Sequence, residues 1–348
     1  MQSVEVVNKL ECLIDWIGVT FFNFSSPLEV LSYLGFSDSD FSVSRGRNGY
    51  KSSLRHNLHN ISVLYDGSED MGFHVDISGS AISAALDAYM NTQTELTPWG
   101  TYATEMLDNS AMVEYLRHVL ECGKLTRLDL AVDDKGCQYF SLDDVLEICD
   151  SDRCVSKFRG YCLNRSRDFC GDTTGNTVSF GSRNSMAYLR VYDKKLEQNR
   201  NGENTVDFDW VRWELELKKE RAQTAAEFII SGKNIGTVIM GILCNYVRII
   251  VRDDDNVSRC SLDPVWEKFM EGIKRLKMTV HHAEKTIEQV KTWIKKQVLP
   301  SIALVSAYEG GDLGFILNHM SEALFKNSKS KLDMLFCSNP DLKEGFVL

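Results

Sequence analysis

The chain has 348 residues, of which 43% are hydrophobic, 25% charged and 10% aromatic. That is the composition of a soluble protein with a sizeable core, and the length suggests two or three domains at about 150 residues each. The net charge of -10 excludes a protein that coats nucleic acid indiscriminately, though not a DNA enzyme with segregated charge.

The first predicted element is a strand over 16–22 (WIGVTFF). Ser26 followed by Pro27 then signals a helix start, and PLEVLSYLG ends at Gly35. Residues 41–60 hold four Lys/Arg, two His and no acid, and read as a basic loop with an extended piece near 49–52. Extended segments follow at 61–65 and 73–78, separated by the turn-rich DGSEDMG. Helices are expected over 80–90 and 111–120, the second with Met112, Leu116 and Val119 on one face.

The order then repeats. Residues 128–132 read as a strand, Ser141 caps LDDVLEICD, Tyr161 lies in a basic extended segment, and strands follow at 177–181 and 187–193. Asp15 and Asp129 start the two copies 114 residues apart. The fold class is therefore α+β, with two related antiparallel-sheet units. VRWELEL (211–217) is a further strand, and a helix over 225–230 stops at Gly232.

From 234 the texture is helical. DPVWEKFMEGIKRLKM (263–278) opens on a helix start. Residues 281–298 put Ala283, Ile287, Val290, Ile294 and Val298 on one stripe, and the tail after 325 is polar. The expected domains are 1–122 (DNA-binding), 123–233 (carrying the chemistry) and 234–348 (helical). No apolar stretch is long enough for a membrane span, and MQSVEVVNKLECLIDW lacks the pattern of an export signal, so a cytoplasmic protein is expected. The ten cysteines include no CxxC pair and read as reduced thiols.

Three strands carry the chemistry. In TRLDLAVDD (126–134), Leu128, Leu130 and Val132 alternate with Arg127, Asp129, Ala131 and Asp133. In DWVRWELEL (209–217), Trp213, Leu215 and Leu217 alternate with Arg212, Glu214 and Glu216. If these polar faces meet, the converging carboxylates need a cation, and oxygen donors suit Mg²⁺ or Mn²⁺. The bland alternative is a charge ladder on an exposed sheet. In AYLRVYDKK (187–195), Tyr188, Arg190 and Tyr192 share a face, with Lys194 close by. A tyrosine can attack phosphorus if a base, cations or a polarised phosphate offset its pKa near 10. The basic segments 41–60 and 153–170 interleave Tyr and Phe with Lys/Arg, which suits a phosphate backbone and stacked bases.

TRLDLAVDD, FGSRNS, LRVYDKKLE and VRWELELKKERA, in this order and spacing, resemble the replication initiation factor family, with IDWIGVTF, GRNGY and FHVDISGSA as earlier matching pieces and VWEKFMEGI and TWIKKQVLPSIA as later ones. The resemblance spans roughly 13–305. The family includes rolling-circle plasmid initiators, relaxases of integrative and conjugative elements and some phage initiators. It implies site-specific DNA nicking and strand transfer through a 5′-phosphotyrosyl intermediate. On the R-hydrophobic-Y-x-K motif the nucleophile falls on Tyr192, with Tyr188 as competitor and Arg190 and Lys194 as charge stabilisers. The implied divalent metal, Mg²⁺ or Mn²⁺, falls on Asp129 and Glu216, with Asp133 and Glu214 as further candidates. Arg45, Arg47, Lys51, Arg55, Arg165, Arg167 and Arg183 are expected to contact DNA at a nick site or extruded hairpin. The resemblance also implies a host helicase and allows a homodimer; it implies no membrane partner.

No His-hydrophobic-His metal motif is present; His56, His59, His281 and His282 read as non-ligands. Two other classes stay open at this stage. A non-catalytic DNA-binding regulator of the same fold would bind without a covalent product. A water-using metal-dependent DNA endonuclease would cleave without any tyrosine.

Overall fold

The computed structural model describes residues 10–93, 109–201, 206–270, 291, 294–314, 316, 317 and 319. By contacts the chain divides into a unit over 1–281 and a second over 282–348. In the second unit the described part is a π-helical turn, Ile294–Val298, leading into a helix, Leu299–Tyr308. Most of the stripe expected over 281–298, the tail after 325, His281, His282 and Cys337 lie outside the described residues. The other nine thiols are free.

The first unit opens with β1 (Leu10–Phe21), α1 (Pro27–Tyr33), β2 (Phe41–Arg45), β3 (Ser52–His56), β4 (Ile61–Tyr65), β5 (Phe73–Ser78), α2 (Ala81–Gln93) and α3 (Asn109–Cys122). The series continues through β6 (Gly123–Lys135), α4 (Leu142–Asp150), β7 (Cys154–Ser156), β8 (Tyr161–Arg167), β9 (Thr173–Phe180), β10 (Ala187–Asp193), α5 (Lys194–Asn201), β11 (Trp210–Lys218) and α6 (Glu220–Ile230). It ends with α7 (Ile235–Tyr246), β12 (Val247–Ile249) and α8 (Pro264–Phe269). The helices start where capping chemistry dictates. Ser26 Oγ accepts from the Glu29 amide at 3.2 Å, Ser141 and Asp144 form a reciprocal capping box, and Asp263 caps α8 ahead of Pro264.

One ten-stranded antiparallel sheet runs β2-β3-β4-β5-β1-β6-β11-β10-β9-β8, and β7 pairs with β12 separately. The expected duplication is visible in this order. Outward from the central β1/β6 pair, each half places its last strand (β5 or β11) next to its first, and a helix follows that last strand. The pairing registers match as well: Gly18 faces Asp76, which faces Ser62, just as Ala131 faces Glu214, which faces Arg190. A small residue next to a carboxylate therefore occurs at equivalent places in both halves.

Alternation puts the apolar residues on one face. Ile17, Val19, Val75, Ile77, Leu128, Leu130, Val132, Leu189, Val191, Trp213 and Leu215 join one core with buried residues of α2, α3, α6 and α7. Trp213, 2% exposed, packs among the rings of Phe140, Trp266 and Phe269. The region from 234 begins as part of this unit: α7 packs on β1 and β6, and β12 is a strand within a stretch expected to be helical. The helix expected over 263–278 is described from Pro264 to Phe269, its remainder lying outside the described residues.

Two further elements differ from the sequence reading. The basic segment 41–60 is a hairpin of β2 and β3 rather than a loop. β2 is the sheet edge, where exposed charge such as Arg45 blocks further pairing, and β3 lies one strand in, between β2 and β4. Strand β1 begins six residues before Trp16. Asp15 is an extra residue between the pairs Ile14/Leu130 and Trp16/Asp129, and this bulge resets the alternation.

Candidate active site

The other sheet face carries the polar residues of β6, β10 and β11 in cross-strand rows. Asp133, Arg212 and Tyr192 form one row; Ala131, Glu214 and Arg190 the next; Asp129, Glu216 and Tyr188 the third. The three candidate strands are thus neighbours and their polar faces meet. Asp129 is fully buried, and Asp133, Glu214 and Glu216 are 2–4% exposed. Buried charges require partners, and each carboxylate has one. Arg212 holds both oxygens of Asp133 at 2.6 and 2.8 Å and reaches Asp15 at 2.6 Å. Arg127 holds Asp129 at 2.9 and 2.5 Å and Glu216 at 3.0 Å; Lys218 takes the other Glu216 oxygen at 2.6 Å.

Tyr192 and Glu214 form the centre of this face. Tyr192 Oη donates to Glu214 Oε2 at 2.8 Å, and Arg190 pairs with Oε1 of the same carboxylate. Burial and the Glu214 charge drive the phenol pKa far up, only partly opposed by Arg212. Burial would also raise Glu214, but Arg190, Tyr192 and Arg212 outweigh it and hold Glu214 below the usual glutamate range. The pair thus contains a neutral phenol next to an ionised acceptor. Lys194 Nζ lies 5.7 Å from the Tyr192 ring centroid and bonds Glu197 at 2.6 Å. A cavity of 380 Å³ is lined in part by Asp15, Lys194 and Arg212, next to the Tyr192 row. Tyr188 lies opposite Glu216, with the Arg183 guanidinium 5.7 Å from its ring.

The metal candidates separate into two kinds. Asp133 is engaged by Arg212 and Glu214 by Tyr192 and Arg190, whereas Asp129 and Glu216 are direct register partners joined by the single Arg127 guanidinium. Among the described residues no three acids, histidines or cysteines already cluster around one point. Burial, with Glu214 and Glu216 nearby, pushes Asp129 up to about 7 despite Arg127. Arg127 and Lys218 balance the two carboxylates, and an ion would take the place of Arg127 between them. Mg²⁺ commonly binds through one or two carboxylates while keeping waters and substrate phosphate, so the pair fits such an ion.

The N-terminal half presents its own row on the same face, which the sequence reading did not assemble. Asp76 accepts from Trp16 Nε1 at 3.1 Å and Arg47 Nη2 at 2.8 Å, and His74 Nε2 lies at 3.2 Å. Arg127 stacks on Trp16 at 4.1 Å, linking this row to Asp129. Gly18 makes room for the contact, since a Cβ there would lie 3.1 Å from the Arg127 Cβ and 3.4 Å from Asp76 Oδ1. Burial alone would raise Asp76, but His74, Arg47 and Trp16 hold it down to about 2. Its stabilising contribution is therefore present above the unfolded pKa of 3.8 and lost as pH falls towards 2. Asp76→Asn is expected to cost roughly 2 kcal/mol at pH 7. Urea melts from pH 3 to 7 check this: the gap from wild type should narrow below pH 4, and a gap independent of pH would refute it.

The expected DNA contacts are dispersed. Arg45 and Arg55 are exposed on β2 and β3, and Lys51 on the turn between them. Arg165 and Arg167 are exposed on β8, the opposite edge. Ten strands at about 4.8 Å separate these edges by roughly 40 Å, with the Tyr192 row between them. Arg183 is exposed beside Tyr188, whereas Arg47 is engaged by Asp76 and Ser62. Among the described residues no helix is long and apolar enough to cross a membrane.

A sheet with one helix-covered face and one face of tyrosines, acids and arginines defines a class. The chain matches the replication initiation factor family over residues 123–320, more than half its length, and belongs to that family. It is 28% identical over 310 residues to "Putative DNA relaxase NicK" of Bacillus subtilis (strain 168), covering 87% of this chain and 83% of that protein. Its fold is similar to the solved rolling circle replication initiator protein from Geobacillus stearothermophilus, with a TM-score of 0.62 and 26% identity over 79% of this chain and 100% of that one.

Proposed function

We propose that this replication initiation factor nicks one DNA strand at a specific site by transesterification to Tyr192. The observation that carries this reading is the 2.8 Å hydrogen bond from the Tyr192 phenol to a buried, arginine-held Glu214. A phenol with a raised pKa needs a base within hydrogen-bond reach, and Glu214 is ionised and in contact. Glu214 takes the proton as Tyr192 Oη forms the new P–O bond. The bond from phosphorus to the 3′ oxygen breaks, and that oxygen leaves with the bonding pair and takes a proton from solvent to become a 3′-hydroxyl. Arg190 and Lys194 stabilise charge on the non-bridging oxygens. A divalent ion bound by Asp129 and Glu216 would supply Lewis-acid polarisation of the phosphate. Because the phosphotyrosyl ester conserves the bond energy, the 3′-hydroxyl can reverse the step and reseal the strand.

The test is incubation with supercoiled DNA bearing the protein's own coding locus, in Mn²⁺ or EDTA, followed by denaturation. A denaturant-resistant adduct mapped to Tyr192 is the expected result. An adduct on Tyr188 would move the nucleophile, and specific binding without nick or adduct would favour a regulator. Arg165 and Arg167 supply phosphate contacts in this reading. Arg165→Ala/Arg167→Ala should weaken binding and lower the log–log salt slope by about 1.4 for two contacts on single-stranded DNA. An unchanged slope in a salt titration would remove them from the interface.

A further inference from the structure

A second cavity, of 720 Å³, lies away from the Tyr192 row, where the β9–β10 hairpin meets the small β7–β12 sheet. Its lining is unusual for a chain of net charge -10. Lys157, Arg159 and Arg221 contribute to it, no acid does, and Phe158, Tyr161 and Tyr246 provide aromatic walls. Neither Arg159 nor Arg221 forms an ion pair with a carboxylate among the described residues. The Arg221 guanidinium lies 5.6 Å from the Tyr246 ring centroid. Tyr246 is 5% exposed, and its buried hydroxyl is close to the Arg221 side chain without a well-formed hydrogen bond.

The walls are built rather than incidental. Phe158 stacks on Tyr246 at 5.3 Å and 19°. The Ser156 hydroxyl and the Lys157 amide both donate to the Tyr246 carbonyl, which fixes that ring pair. Gly181, at φ +81°, lets the hairpin close on Phe158: a Cβ there would lie 2.7 Å from the ring. Flat apolar walls with unneutralised guanidinium groups match a nucleotide, whose base stacks and whose phosphate pairs with arginine.

We propose that this cavity takes one unstacked nucleotide of the DNA strand that is cut at Tyr192. The proposal rests on the strand-transfer reading above and adds a second anchoring point. Ala187 at the cavity and Tyr192 lie five residues apart on β10 and point to opposite faces of the sheet, so the DNA strand reaches the cavity around the end of the β9–β10 hairpin, a path of at least about 17 Å at strand rise. That path corresponds to about five or more nucleotides from the nick at roughly 3.4 Å per stacked nucleotide. An anchor there holds the strand taut across the tyrosine and favours a site whose flanking bases unstack readily.

The test is equilibrium binding of labelled single-stranded oligonucleotides spanning the nick. Abasic substitutions are placed singly at each of roughly ten positions on either side, which covers the path at about 3.4 Å per nucleotide. Wild type should lose affinity at one position by about fivefold to a hundredfold, as expected for one stacked base. Arg159→Ala/Arg221→Ala should bind the intact oligonucleotide more weakly, with a salt slope lower by about 0.7 for the one phosphate held, and should no longer sense that abasic position. Arg159 is exposed, so Arg159→Ala alone reports the charge contribution without disturbing packing. No position-specific loss, together with an unchanged slope in the double variant, overturns the cavity proposal while leaving nicking intact. Saturable binding of a free mononucleotide that does not compete with the oligonucleotide also overturns it, in favour of a small-molecule site. If wild type binds no single-stranded DNA from its locus, the cavity and the strand-transfer reading both fall.

Discussion

Tyr192→Phe is expected to abolish nicking and covalent attachment, a loss on the order of 10⁴-fold or more, while DNA affinity stays within about twofold. The two effects separate because the phenol oxygen performs the chemistry but is 9% exposed as a residue and is directed at Glu214 rather than at the surface. Folding should survive. The variant leaves Glu214 with Arg190, so no buried charge is stranded, and the lost hydrogen bond costs about 1 kcal/mol. Glu214→Gln tests the other half of the pair. It keeps the shape and removes the base, so cleavage should fall about 10²- to 10⁴-fold. Because Glu214 is held below the usual glutamate range, wild-type cleavage should show no acidic limb from this group near neutrality. Adduct gels across a pH series measure all three. Full cleavage by Tyr192→Phe would discard Tyr192 as the nucleophile.

The strands that carry this pair were readable from the sequence because their alternation is strict. VRWELEL and AYLRVYD each put apolar residues on one face and polar ones on the other, and both do so in the structure. What a single sequence does not contain is register. Nothing in the spacing of Glu214 and Tyr192 says that they share a hydrogen bond, or that Asp133 is held by an arginine 79 positions away. Glu214 stands among the metal candidates because it shares a polar face with the other acids, while its contacts are with the Tyr192 phenol and Arg190. The row around Asp76 shows the same effect. FHVDIS places His74 and Asp76 on one face by simple alternation, but Arg47 and Trp16 reach them only through sheet pairing. Bulges hide strand limits, as Asp15 does in β1. The edge strand β2 and its neighbour β3 hide altogether, because exposed charge and serine take the place of the pattern of a buried strand.

The second large effect concerns the divalent ion. Asp129→Ala and Glu216→Ala are each expected to lose Mg²⁺- or Mn²⁺-dependent cleavage by roughly a thousandfold, as fits several kcal/mol of charge stabilisation at the phosphate. Cleavage alone would not separate a ligand from a structural residue, so stability supplies the second readout. Asp129 titrates at about 7 when folded against 3.8 in the unfolded chain, because burial outweighs Arg127. The folded state therefore holds the extra proton between those values, and without metal this group makes stability fall as pH rises from 4 to 7. A metal must displace that proton, so its stabilisation should be small at pH 6 and larger at pH 8. At a hundredfold excess over the dissociation constant it reaches about 2.7 kcal/mol. Asp129→Asn mimics the protonated acid. It should melt at least as high as wild type at pH 8 without metal, since Arg127 retains Glu216, and should show no Mn²⁺-dependent rise. Thermal melts at both pH values, with Mn²⁺ and with EDTA, decide the matter. Cleavage undiminished in EDTA, or a Mn²⁺ shift that persists in Asp129→Asn, would remove the ion from this pair and leave Arg127 as its resident cation.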